Sequence, residues 1–144
     1  MPLIFGTPMW KISKIPDGSR KRLFRLYESL QLNPWHFEQF RSESGFFEKS
    51  YKGFIVYQIS DDMVDITGLG VAPHVQRQGL GKALLHTLIE QHPLKRFFLE
   101  VSVHNTNAIA FYERQGFQKI QLRPLYGHYL GQLSDFWVMC KNYM

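Results

Sequence analysis

The 144-residue chain predicts an α/β fold, a mixed and mostly antiparallel sheet of about seven strands flanked by about four helices. Short apolar runs of strand length alternate with segments whose apolar residues recur every three or four positions. Gly53 and the Asp61-Asp62 pair supply tight turns that leave successive strands antiparallel. The passage 62–103 instead reads strand, helix, strand, and a crossover of that length joins parallel neighbours. With 44% apolar residues, no long charge run and no internal repeat, the chain fits one globular domain, 1–144.

The elements follow in order. A strand at about 9–15 precedes a helix at about 19–31, where the Arg20-Lys21-Arg22 cluster reads as a solvated face. A second helix at about 34–42 carries Trp35, Phe37 and Phe40, and strands follow at about 46–51 and 53–60. The strand at 62–72 takes its apolar positions from Met63, Val64, Ile66, Leu69 and Val71. Its alternation breaks at Gly68 and Gly70, which marks a bulge or a close approach by another group. Pro73 ends it. Leu80, Ala83, Leu84, Leu88 and Ile89 form one stripe of a helix at about 79–91, which Pro93 closes.

Phe97, Phe98, Leu99, Val101 and Val103 then make a strand at about 95–103, interrupted by the charge of Glu100. Asn105 is a good N-cap for the next helix. Gly116 fits the left-handed position after its last turn, and Phe117 the apolar residue beyond. Strands at about 117–123 and 135–142 complete the chain, joined by the stretch Arg123–Gly131.

The most informative segment is Gln76-Arg77-Gln78-Gly79-Leu80-Gly81, after a strand and at a helix start. Two glycines one residue apart let a bound group come close to the backbone. The first N–H groups of a helix lack intrahelical partners and sit at the positive end of its dipole, so the segment is a candidate phosphate cradle. A plain tight turn accounts for the glycines alone equally well. No Gly-Lys-Ser/Thr follows, so Lys82 is not a nucleotide γ-phosphate lysine. The third glycine and the downstream acid of a dinucleotide fingerprint are also missing.

The order Gln/Arg-x-x-Gly-x-Gly, strand before and helix after, resembles the acetyl-coenzyme A motif of the GNAT N-acetyltransferase superfamily. Leu99-Glu100-Val101, then Asn105-x-x-Ala108-x-x-x-Tyr112, then Gly116-Phe117 is similar to the second half of that pattern. The likeness is strongest to the RimI type, bacterial N-terminal acetyltransferases named for a ribosomal-protein substrate. That type also carries a Pro-Trp segment in its second helix, matched here by Asn33-Pro34-Trp35.

The resemblance implies the GNAT fold, with a splayed parallel strand pair admitting the pantetheine arm. It implies acetyl-CoA as cosubstrate, held by Leu69, Val71, Gln76, Arg77, Gln78, Gly79, Leu80, Gly81, Lys82, Asn105 and Tyr112. The glycines beside Leu69 and Val71 would make strand amides accessible, and Val71 would act through its main chain. Glu100 stands where the RimI type has its catalytic glutamate, and Tyr112 where it has the acid that protonates the coenzyme A sulfur. Trp35 and Tyr126 are the matched acceptor-site positions, although both tryptophans Trp35 and Trp137 also read as core. The family's Arg-x-x-Tyr-Tyr run is altered here to Arg123-x-x-Tyr126-Gly127-His128, with Tyr129 displaced.

Other chemistry is thinly represented. His104 is an alternative base near Glu100, or a loop histidine. No His, Cys, Asp and Glu set has metal-ligand spacing, and the reaction needs no metal. Cys140 reads as a buried apolar residue, and as the single cysteine it fits a reducing, cytoplasmic setting. Met1–Phe5 lacks a secretory signal's basic start, and no apolar stretch reaches membrane-spanning length. The net charge of +5 comes from scattered residues without an aromatic-plus-basic nucleic-acid motif. The expected acceptor is a protein N-terminus, with a small amine (polyamine, amino sugar or antibiotic) as the alternative. A non-catalytic coenzyme A-binding module is a third reading, and monomer and homodimer are both open.

Overall fold

The computed structural model describes residues 10–30 and 35–142. Asn33 and Pro34 of the Pro-Trp segment lie outside the described residues. The elements are β1 (Ile12–Lys14), α1 (Arg20–Ser29), α2 (Phe37–Ser42), β2 (Ser44–Glu48), β3 (Gly53–Ser60), β4 (Met63–Val71), α3 (Leu80–Gln91), β5 (Arg96–Ser102), α4 (Thr106–Arg114), β6 (Gln118–Tyr129) and β7 (Gln132–Lys141). Single 3-10 turns precede α1 and α3.

The strands form one seven-stranded sheet in the order β1-β2-β3-β4-β5-β7-β6. β4 and β5 are parallel, with Met63–Asp65 opposite Arg96–Phe98. The pairs β1/β2, β2/β3, β5/β7 and β6/β7 are antiparallel. The expected α/β class and element order therefore hold. The chain divides into two compact units, one of residues 1–57 and 68–92, the other of residues 58–67 and 93–144.

The first unit is held by an aromatic core. Leu23, Tyr27, Phe40, Phe47, Phe54 and Val56 are buried together, and Trp35 packs against them. Tyr27 stacks on Trp35 at 5.7 Å between ring centres, and Phe40 meets Phe54 edge-on at 5.5 Å. Such pairs add roughly 0.5–1.5 kcal/mol to the burial of their area. This packing explains the glycines of β4. A Cβ on Gly70 would lie 2.8 Å from the Phe54 ring and 2.7 Å from Leu30 Cδ1, and one on Gly68 3.0 Å from Val56 Cγ2. The close approach inferred from sequence is real, but core side chains make it on that face.

Arg20 departs from the solvated-face expectation. It is buried, with Nη1 donating to the Glu43 carbonyl at 2.7 Å and Nη2 to the Ile15 carbonyl at 3.3 Å. Arg22 lies over the Tyr51 ring at 4.0 Å. β2 also ends earlier than expected, because Tyr51 takes a φ of 63° and its N–H donates to the Glu48 carbonyl at 2.8 Å.

In the second unit α4 ends as the sequence predicts. Gly116 has a φ of 94°, its N–H donates to the Glu113 carbonyl, and the Phe117 N–H donates to the Tyr112 carbonyl. Phe117 is buried against the Tyr112 ring. The last hairpin differs from expectation. β6 runs on to Tyr129 and β7 starts at Gln132, so the stretch read as a joining loop is mostly strand. The turn is Leu130-Gly131, both at positive φ. What hid the strand is an irregular register, with Arg123 opposite Phe136 but Gly127 opposite Ser134.

Candidate active site

The cradle lies in the first unit and is built from main chain. After β4, a 3-10 turn at Pro73–Val75 leads into Gln76–Gly79, all exposed, and α3 starts at Leu80. Arg77 and Gly79 have φ of 65° and 87°, bracketing Gln78. Left-handed residues placed this way gather successive N–H groups into concave anion sites. Gly79 caps α3 without a side-chain bond, and the first intrahelical bond runs from the Ala83 N–H to the Gly79 carbonyl. The N–H groups of Leu80, Gly81 and Lys82 precede it and have no acceptor within the helix. A Cβ on Gly79 would meet no atom within 4 Å, so the space beside it is open.

Three side chains in this segment have other tasks. Leu80 is buried beside Gly53 and anchors the helix start. Gln76 Nε2 donates to the Val71 carbonyl at 3.0 Å, tying the turn to the strand end. Gln78 Nε2 reaches the His74 carbonyl at 3.4 Å. Leu69 and Val71 are half-buried on β4, on the face opposite Val64, Ile66, Gly68 and Gly70. Lys82 is exposed.

The second unit carries the carboxylate. Glu100 projects from β5 on the face it shares with Val138 of β7 and, across β7, with Gln121 and Arg123 of β6. Arg123 Nε lies 3.2 Å from Glu100 Oε2, and the Tyr126 hydroxyl donates to Glu100 Oε1 at 3.2 Å. The Arg123 guanidinium sits over the Tyr126 ring at 4.9 Å, so the three side chains touch pairwise. β6 lies two strands from β5, about 10 Å away, a span that long side chains such as Arg and Tyr can cross. Donating this bond to Glu100, with burial second, raises the Tyr126 phenol pKa and keeps it protonated. A carboxylate so held keeps lone pairs for a further donor.

On α4, Asn105 Oδ1 accepts from the Ala108 N–H at 3.3 Å, the cap expected of it. Tyr112 is buried with Phe111 and Phe117 around its ring, and burial raises its phenol pKa well above the ordinary range. Its hydroxyl is therefore a donor at any working pH. His104 is exposed beside an open depression at the hairpin tip, lined with Tyr129, Leu130, Gln132, Leu133 and Ser134. Trp35 belongs to the aromatic core of the first unit. Cys140 is half-buried, with Sγ 3.7 Å from Asn142 Oδ1. Among the described residues no group of three His, Cys, Asp or Glu could hold a metal ion. Among them, too, no helix is long and apolar enough to cross a membrane.

Sequence reasoning brought Glu100 and Tyr126 forward for separate tasks and gave Arg123 and Asp135 none. The available signal was a lone acid, Asp135, at the start of the apolar Phe136–Cys140 run.

The chain is similar to proteins of known activity. A profile of the acetyltransferase (GNAT) family matches residues 16–117. The ribosomal protein bS18-alanine N-acetyltransferase of Escherichia coli K12 is 36% identical over 126 residues, covering 80% of this chain and 85% of that one. The crystal structure of the ribosomal-protein-S18-alanine N-acetyltransferase of Escherichia coli superposes with a TM-score of 0.84 at 26% identity, over 94% of this chain and 96% of that one. The fold also agrees with that of Arabidopsis thaliana NAA60 in complex with acetyl-CoA, at a TM-score of 0.82, 18% identity, and coverage of 93% and 98%. The chain belongs to the acetyltransferase (GNAT) family.

Proposed function

We propose that the chain transfers the acetyl group of acetyl-CoA to the α-amine of a protein N-terminus, with alanine among the residues it accepts. The observation that carries this reading is the anchored carboxylate of Glu100, held through Tyr126 by the β6–β7 hairpin. The alanine acceptor of the bacterial relatives supports the substrate class. So does the openness of the depression at the hairpin tip, which leaves room for an extended peptide.

The chemistry follows from the groups. The pyrophosphate of acetyl-CoA lies on the N–H groups of residues 77–82, with Leu69 and Val71 offering strand amides and Asn105 reaching the pantetheine chain. An α-amine has a pKa near about 8, so part of it is neutral and nucleophilic at neutral pH. Its lone pair attacks the thioester carbonyl, and a main-chain N–H such as that of Val71 steadies the oxyanion. The nitrogen turns strongly acidic as the C–N bond forms, so even a hydrogen-bonded carboxylate such as Glu100 can take its proton, directly or through water. The carbonyl re-forms, the C–S bond breaks, and the sulfur takes its proton from the Tyr112 hydroxyl. The chain acts as a single domain, 1–144, as a monomer or homodimer, and the single cysteine suits the cytoplasm.

The test is mass-spectrometric detection of product from acetyl-CoA with peptides that differ in their first residue, beside a panel of small amines. Acetylation of α-amines, with Ala-peptides among the products, is expected. Product on small amines alone would replace this reading, and cofactor binding without any product would leave a binding module.

A further inference from the structure

We infer that Asp135 is a positioning residue, which locks a bulge in β6 and thereby aims Tyr126 at Glu100. This inference rests on the proposed role of Glu100. Arg123 and Gly127 pair with Phe136 and Ser134, which lie on the Glu100 face of the sheet. Strict alternation from either side would put Tyr126 on the opposite face. It does not lie there, because its hydroxyl reaches Glu100 and its ring meets Phe136 at 5.9 Å.

The register accounts for the reversal. Pro124, Leu125 and Tyr126 occupy the space opposite Asp135 alone, and bulges of this kind re-aim a side chain. Leu125 adopts a φ of 45°, a conformation that an apolar L-residue does not choose unaided. What holds it is Asp135, whose Oδ1 accepts from the Leu125 N–H at 2.8 Å. Asp135 is itself fixed by its main chain, since its carbonyl accepts from the Val103 N–H at 3.0 Å and from Ser134 Oγ at 2.8 Å. Ser134 Oγ is also within 2.7 Å of Ser102 Oγ. A chain of bonds therefore runs from the end of β5 through Asp135 to the bulge, and back through Tyr126 to the carboxylate on β5. Replacing the Asp135 side chain breaks the Leu125 link while the main-chain bonds remain.

The experiment is a double-mutant cycle on transfer from acetyl-CoA to an Ala-initiated peptide, with melting curves and acetyl-CoA affinity for each variant. Tyr126→Phe and Asp135→Ala are each expected to lower kcat/KM about tenfold, and the double variant no further than either alone, since linked groups are not additive. Asp135→Asn keeps an acceptor oxygen in the same place and is expected to stay within about threefold of wild type. Acetyl-CoA affinity stays constant throughout. Losses that multiply in the double variant, or an Asn variant as poor as Ala, would overturn the inference. If Asp135→Ala does not fold, Asp135→Ser, too short to reach the Leu125 N–H, takes its place in the cycle. Should Tyr126→Phe and Glu100→Gln both leave transfer intact, the proposed site fails. A damaging Tyr126→Phe beside a silent Asp135→Ala refutes the positioning role alone.

Discussion

The two units carry their functional groups in opposite ways. The first offers main chain, the N–H groups around Arg77 and Gly79 and at the start of α3, beside which Gln76, Gln78 and Leu80 spend their side chains on local bonds or packing. The second offers side chains, with Glu100, Arg123 and Tyr126 converging from β5 and β6 across an intervening strand. A main-chain site depends on a few consecutive φ values. A side-chain site depends on register, and one shifted residue reverses which face it presents. Substitutions should therefore divide, with those in the second unit acting on turnover and those in the first on cofactor affinity or stability.

The largest separation is expected from Tyr112→Phe. The ring remains to fill the space beside Phe117, and only the hydroxyl is lost. Removal of the proposed general acid should cost about 10²-fold or more in turnover, with acetyl-CoA affinity unchanged. Steady-state kinetics beside calorimetric binding reads both quantities. A pH series adds a second check. Burial raises the phenol pKa from its ordinary value of 10.0, so an alkaline limb in kcat below that pH belongs to another group. Above it the unfolded chain's phenol ionises first, and stability falls as pH rises. Tyr112→Phe should lose the Tyr112 share of that decline, while the raised phenols of Tyr57 and Tyr126 keep theirs.

Gly70→Ala tests the packing side of the comparison. Its added methyl meets the Phe54 ring and Leu30, and overpacking of that kind costs about 1–3 kcal/mol. The melting temperature should fall by about 3–10 °C, while turnover at saturating acetyl-CoA stays near wild type. A variant of unchanged stability would return Gly70 to the ligand role that the sequence suggested.

The same contrast explains what the sequence disclosed. The candidate cradle could be proposed because six consecutive residues carry it, and the end of α4 was legible because Gly116-Phe117 is a local signal. Gly68 and Gly70 announced a close approach without saying by what, since Phe54 comes from another strand. Arg20 looked like one of three surface charges, and only the folded positions of the Ile15 and Glu43 carbonyls give it two acceptors. Tyr126 could be named but not aimed. Counting alternate residues along β6 fails at Leu125, and nothing in that residue's identity announces a positive φ.

Gly79→Val brings the comparison back to the cradle. A left-handed conformation costs an L-residue roughly 1–2 kcal/mol. The new Cβ meets no atom within 4 Å, so the fold should survive that strain. The branched side chain would occupy the open space and move the N–H groups of Arg77–Gly79 out of line. Acetyl-CoA affinity should weaken by about tenfold, with turnover at saturation little changed. Equal affinity in a folded variant would remove the cradle from the cofactor site.

Gln76→Ala carries the smallest expected effect and sharpens the distinction most. If the segment binds through main chain alone, the Gln76 amide matters only through its bond to the Val71 carbonyl. A single hydrogen bond contributes about 0.5–1.5 kcal/mol to stability, and the exposure of Gln76 argues for the lower end. The melting temperature should drop by no more than a few degrees, with acetyl-CoA affinity within about twofold of wild type. An affinity loss approaching that of Gly79→Val, without a matching loss of stability, would make the Gln76 side chain a direct cofactor ligand. The first unit would then bind through side chains as well as main chain, and the contrast between the units would narrow to the acid and base alone.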